Sequence, residues 1–156
     1  MWLSESFHIS EFTRSQTASR QGIDNSPSQE HLDNLVQLCT YVLEPVCVAY
    51  QTKVEVSSGY RSPALNTAVG GSKTSQHCNG MAADIEIPGI DNCDLAAWIA
   101  DNLEFDQLIL EFHRHEAGPN DGWVHVSYNP LGCRKQVLTA KRNSAGKTVY
   151  LPGLIA

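Results

Sequence analysis

Between residues 32 and 46, Leu32, Leu35, Val36, Cys39, Val42, Leu43 and Val46 recur every three or four positions. That spacing puts them on one stripe of an amphipathic helix, whose task is to cover a sheet. Ser26-Pro27-Ser28-Gln29 ahead of it has the form of a capping box with proline at the first helical position, and Pro45 is the predicted end. Lys53 to Ser57 alternates like a strand, and Ser62-Pro63 restarts a short helix that stops at Gly70-Gly71. Ala82 to Ile87 reads as a strand followed by a Pro88-Gly89 turn. A second helix begins near Asp91, with Leu95, Trp98 and Ile99 on one face. Three further strands are predicted at Phe105 to Phe112, Trp123 to Tyr128 and Lys135 to Thr139. Helices first and strands later predict an α+β fold, a central antiparallel sheet flanked by helices, ending in a meander. Residues 1–25 are polar and weakly periodic apart from a turn at Ser10-Glu11-Phe12-Thr13; they are read as a surface segment packed on a single domain, 1–156.

Composition narrows the function classes. The chain has 156 residues, 42% apolar and 18% charged, which excludes intrinsic disorder and a coiled coil. Its 11 basic against 17 acidic residues give a net charge of −6, so no basic footprint for nucleic acid is present. The five cysteines, Cys39, Cys47, Cys78, Cys93 and Cys133, are odd in number with no close pair, and read as reduced, mostly buried thiols from a reducing compartment. Met1 to His8 has no basic n-region and carries an acid at position 5, unlike a secretory signal. The longest apolar stretch, Tyr41 to Tyr50, is broken by Glu44 and Pro45 and is too short to insert in a membrane. The expectation is synthesis in the cytoplasm, with delivery elsewhere left to another agent.

Three segments carry candidate chemistry. In Ser75-Gln76-His77-Cys78-Asn79-Gly80-Met81-Ala82-Ala83-Asp84-Ile85-Glu86, His77 lies in a polar loop and Asp84 interrupts an apolar strand. A carboxylate there needs a partner, because burying it unpaired is costly, and a metal would supply one. In Trp123-Val124-His125-Val126-Ser127-Tyr128, Trp123, His125 and Ser127 share a face. A histidine alone on a strand is ordinarily structural, but His77, Asp84 and His125 together make an N/N/O donor set with a fourth position left for water, as in catalytic zinc sites. In Phe105-Asp106-Gln107-Leu108-Ile109-Leu110-Glu111-Phe112-His113, strict alternation puts Ile109, Glu111 and His113 on one face. Glu111 is then either a solvated outward residue or a general base facing the metal, and the pattern leaves both open.

Taken together, Ser58-Gly59-Tyr60-Arg61-Ser62-Pro63, Asn66, Val69-Gly70-Gly71, Ser75-Gln76-His77, Gly80, Ala82-Ala83-Asp84 and Trp123-Val124-His125-Val126-Ser127 resemble the zinc D-Ala-D-Ala carboxypeptidase family. That family includes phage endolysins and cell-wall endopeptidases and shares its fold with the hedgehog signalling domain. The resemblance runs in order from about Phe7 through Leu151. It implies His77, Asp84 and His125 as ligands of a Zn2+ cofactor, Arg61 as the substrate-orienting arginine, and Ser75 and Gln76 in the substrate-binding loop beside the first ligand. Trp123 is read as a wall of the substrate cleft, or as simple sheet packing. Glu86 is a candidate partner for a ligand's second ring nitrogen.

The chain departs from the family at the base. Many members have an acid three residues before the last histidine, where this chain has Gly122. The hedgehog branch has Phe-Asp, four residues, then a glutamate, a spacing that Phe105-Asp106 to Glu111 reproduces. Glu111 is therefore favoured as base, with Glu116 and Asp121 as loop alternatives, and His113 is a candidate to stabilise the oxyanion, with His115 less clear. The reaction so implied is zinc-dependent hydrolysis of D-amino-acid-containing stem peptides of peptidoglycan, in a phage or prophage setting with a holin or tail proteins as partners. The other reading is a non-catalytic, zinc-stabilised binding domain of a virion or tail. A net charge of −6 gives no attraction to an anionic wall, so recognition must be local, through the cleft and Arg61, or supplied by a partner.

Overall fold

A computed structural model describes residues 1–156. The helices are α1 (Ser10–Thr13), α2 (Gln16–Gln21), α3 (Gln29–Leu38), α4 (Glu44–Tyr50), α5 (Pro63–Ala68) and α6 (Asn92–Asn102). The strands are β1 (Glu55–Ser58), β2 (Ala82–Glu86), β3 (Gln107–Glu111), β4 (Trp123–Ser127), β5 (Gln136–Arg142) and β6 (Thr148–Pro152). They form one sheet in the order β1-β2-β4-β3-β5-β6, antiparallel except between β3 and β5. This is the α+β fold predicted, but its end is not a meander. β2 already occupies the outer edge of β4, so β5 can join only at the free edge of β3. The chain leaves β4 at the end where β3 begins, and a strand laid along β3 from there must run parallel to it.

One sheet face is apolar and carries Ala83, Ile85, Leu108, Leu110, Val124 and Val126, all fully buried in the core under α3, α4 and α6. The helical layer differs from the sequence reading at both ends. Ser28, not Ser26, caps α3, its hydroxyl accepting from the His31 N–H at 3.2 Å, and Pro27 lies outside the helix. Pro45 does not end the helix either. A π-turn at Cys39–Leu43 carries the chain straight into α4, whose first turn contains the proline. The Glu44 N–H reaches back to the Cys39 carbonyl, and in that widened register the missing proline N–H is tolerated.

The N-terminal segment is more than a surface layer. Leu3, Phe7 and Phe12 belong to the core, the two phenylalanines with no exposure. They are too irregularly spaced to show as periodicity, yet each ring fills a gap in the core. Glu44 fixes this segment to α4 by accepting from Ser4 Oγ at 2.7 Å, Ser6 N at 2.6 Å and Ser6 Oγ at 2.9 Å. Strand β6, absent from the sequence reading, pairs with β5 through a turn in which Asn143 Oδ1 accepts from the Ala145 and Lys147 N–H groups, both at 3.0 Å. All five cysteines are free, but only Cys39 is buried and the other four are half-buried, against the expectation of mostly buried thiols. No helix is long and apolar enough to cross a membrane.

Candidate metal centre

The polar face of the sheet holds the centre. The β2–β4 register sets Asp84 directly across from His125. His77 arrives from outside the sheet, on a 3-10 turn, Gln76–Asn79, whose N-cap Ser75 accepts from the His77 N–H at 3.3 Å. A carbonyl can only accept, so His77 Nδ1, 2.7 Å from the Gly59 carbonyl, is protonated and, in the neutral ring, Nε2 is left with its lone pair. That Nε2 lies 3.2 Å from Asp84 Oδ1, and His125 Nδ1 lies 3.2 Å from the same oxygen. Three donors around a tetrahedral ion at about 2.0 Å each sit about 3.3 Å apart, and both separations to Asp84 Oδ1 match that edge. Burial alone would raise the Asp84 carboxyl, but the flanking imidazoles of His77 and His125 prevail and hold it well below the usual carboxylate range.

The partner orienting His77 is thus the Gly59 carbonyl rather than Glu86. Position 59 must be glycine, because a Cβ there would lie 2.6 Å from Phe12 Cα. The buried N-terminal segment therefore packs directly against the residue that aims the first ligand, a link invisible in the spacing of motifs. Arg61 adds a second support, its backbone N–H donating to the His77 carbonyl at 3.1 Å.

An open cleft of about 1020 Å³ runs past the three donors, and Arg61, Ser75, Gln76, Glu111 and Trp123 all face it. Glu111 stands at the end of β3, opposite Trp123 in the β3–β4 register. Burial, and then the Asp84 carboxylate, push its carboxyl up to about 7 against the opposing pull of His125, Trp123 and Arg61. Charge on a cation held by Asp84 would favour the ionised form. Arg61 Nε is buried without a hydrogen-bond partner, a donor held in reserve on the cleft wall, and the Trp123 indole N–H makes no hydrogen bond of full geometry although it is near enough to Glu111 to lower its carboxyl. Gln76, which faces the cleft, also has a task beyond the one expected of it. Its amide donates to Asp106 Oδ2 at 2.7 Å, and Asp106 also accepts from Arg134 Nε at 3.0 Å and Nη2 at 3.1 Å. This clamp ties the His77 turn to the start of β3. Arg142 and Tyr150 of the β5–β6 hairpin complete the far wall. The Asn143–Gly146 turn between two alternating runs is the sequence signal that could have found them.

His113 is not in this cleft. Phe112 adopts a left-handed backbone with φ of 55°, which breaks the alternation on which the shared face of Glu111 and His113 depended. Phe112 turns towards Trp123, their ring centroids 5.4 Å apart, and His113 is directed beneath the loop, away from the cleft. The loop alternatives for the base fall away as well. Asp121 is bound by Arg114, its Oδ2 accepting from the Arg114 N–H at 2.8 Å and Nε at 3.0 Å, and Glu116 is exposed outside the cleft. Gly122 explains why the acid common at that position is missing. Its φ is +72° and a Cβ would lie 2.0 Å from the Glu111 carbonyl oxygen, so no side chain fits.

With this geometry in view, comparison with known proteins is decisive about family. The Peptidase M15 family model matches residues 5–127, well over half the chain, and the chain belongs to that family. M15 peptidases are metal-dependent, and His77, Asp84 and His125 are a group able to hold the ion. No curated protein matches the chain.

Proposed function

We propose that the chain is a zinc peptidase acting on D-amino-acid-containing stem peptides of bacterial peptidoglycan, as a carboxypeptidase or endopeptidase. One observation carries the catalytic reading: a half-buried carboxylate, Glu111, shares the cleft with the His77–Asp84–His125 donors, beside an unpartnered Arg61 Nε–H. Zinc held by those three residues would supply Lewis acidity to a water and to the scissile carbonyl. Glu111 takes the proton of the attacking water and returns it to the leaving amine, a task suited to a carboxyl whose proton affinity is raised by burial. Arg61 orients the peptide by donating to its carboxylate or carbonyl. With His113 out of reach, the Trp123 indole N–H and Arg61 Nε are the chain's own donors for the developing oxyanion. The choice of substrate is supported by the ordered motif resemblance and by the open, polar cleft.

The test compares zinc content and release of fragments from purified peptidoglycan for the wild type and Glu111→Gln. Equal zinc in both, with hydrolysis only by the wild type, is the expected result. Full activity in the variant would remove Glu111 as base. Zinc without hydrolysis of any wall type would favour the zinc-stabilised binding domain of a virion or tail.

A further inference from the structure

A second cluster, outside the cleft, has the same donor chemistry. Asp91 precedes α6 and divides its carboxylate between two tasks. Oδ1 caps the helix, accepting from the Cys93 N–H at 2.8 Å and the Asp94 N–H at 3.3 Å. Oδ2 faces two imidazoles from the loop after β3, 2.9 Å from His115 Nδ1 and 3.3 Å from His113 Nε2.

His113 is the informative member. Its side chain has no exposure, and its Nδ1 is 2.8 Å from the Asp121 carbonyl, so Nδ1 must donate and, in the neutral ring, Nε2 carries a lone pair. That Nε2 is buried and makes no hydrogen bond, although it lies 3.3 Å from Asp91 Oδ2. A neutral Nε2 and a carboxylate oxygen this close in a buried place repel unless a proton or a cation lies between them. The arrangement copies the other centre, where a backbone carbonyl likewise fixes Nδ1 of His77 and frees Nε2. The Asp121 carbonyl is itself held in place, since it also accepts from the buried Asn92 amide at 3.1 Å.

We propose that Asp91, His113 and His115 form a second divalent-cation site, for Zn2+, that clips the β3–β4 loop to the start of α6. Of the separations to the shared oxygen, 3.3 Å equals the edge of a zinc tetrahedron, about 3.3 Å, and 2.9 Å is a little shorter. The His115 side chain is 78% exposed, so solvent has access to the fourth position. No spare carboxylate stands beside the cluster, since Asp121 is occupied by Arg114 and Glu116 projects to solvent. The site is therefore a structural clip rather than a second reaction centre, and it does not depend on the proposed peptidase activity.

Metal content of the full chain, stripped with a chelator and then dialysed against zinc, tests this directly by inductively coupled plasma mass spectrometry. The wild type should hold about two zinc per chain, and His115→Ala and His77→Ala about one each. His115→Ala with His77→Ala should hold none. His115 is a solvent-facing side chain, so its loss leaves the fold intact, and circular dichroism verifies that. Zinc should also raise the thermal midpoint of His77→Ala and leave that of the double variant unmoved. One zinc in the wild type, as a protonated His113 in place of the ion would give, overturns the proposal. So does any stoichiometry that His115→Ala leaves unchanged, since the metal would then lie elsewhere.

Discussion

The two His–His–Asp clusters differ less in their ligands than in what surrounds them. Each gathers its nitrogens around one carboxylate oxygen, and each fixes a buried histidine through Nδ1 and a backbone carbonyl. The first stands on paired strands at the middle of the sheet and opens on a cleft containing Glu111 and Arg61. The second joins a loop to a helix start, and its neighbouring acids are already committed or exposed. Donor chemistry alone therefore defines a place for a cation. What surrounds it, an uncommitted base and free donors on an open wall, defines a place for a reaction.

The contrast can be broken most severely at the strand ligands. His125→Ala removes a donor from the first cluster, and hydrolysis should fall to background with a loss of about one zinc per chain, read by metal analysis beside an activity assay. Activity surviving that loss would place the reaction elsewhere. Glu111→Gln should next lower kcat by about 10²- to 10⁴-fold, the range of general acid–base catalysis, without changing metal content. Arg61→Ala should reduce kcat/KM by about 10- to 100-fold, as expected when a charge-assisted bond worth about 1.5–3 kcal/mol is lost. A smaller loss than that would make Arg61 a support for the His77 loop alone.

The mildest effect is expected on stability, at the clamp behind the first cluster. Burial would raise the Asp106 carboxyl, but hydrogen bonds from Arg134 and Gln76 outweigh it and hold the group below its ordinary 3.8. A carboxyl that titrates lower folded than unfolded adds stability that is complete above the unfolded value. That stability is lost as pH falls through the folded value. Asp106→Asn should therefore cost about 1–3 kcal/mol at neutral pH and flatten the acid limb of a denaturation profile. A profile indistinguishable from the wild type would show that the clamp contributes no pH-dependent stability.

Much of the fold was legible because its elements are amphipathic. The alternation in Trp123-Val124-His125-Val126-Ser127 and the stripe from Leu32 to Val46 follow from burial on one side only; the strand stands where it was expected, and so does the helical stripe apart from its ends. Phe7 and Phe12 were missed because a residue filling a gap need not belong to any period. His113 was misplaced for a local reason: a single left-handed residue, Phe112, reverses the facing of everything after it, and a binary pattern carries no sign of that. The bond from Gln76 to Asp106 was not legible, because the two lie thirty residues apart and only the folded chain brings them together.

The sequence by itself determined the residue chemistry and the local periods: two histidines and an aspartate of zinc-ligand type, a glutamate on a neighbouring strand, and motifs in the order of a peptidase family. Tertiary structure decided which of them meet. Strand register set Asp84 across from His125, the packing of Phe12 against Gly59 fixed the carbonyl that aims His77, and one backbone dihedral carried His113 from the cleft to Asp91. The physical reason is range. Periodicity records what each residue must do relative to its own element, whereas a site is built from contacts between elements, and these depend on register, handedness and packing that no single segment encodes.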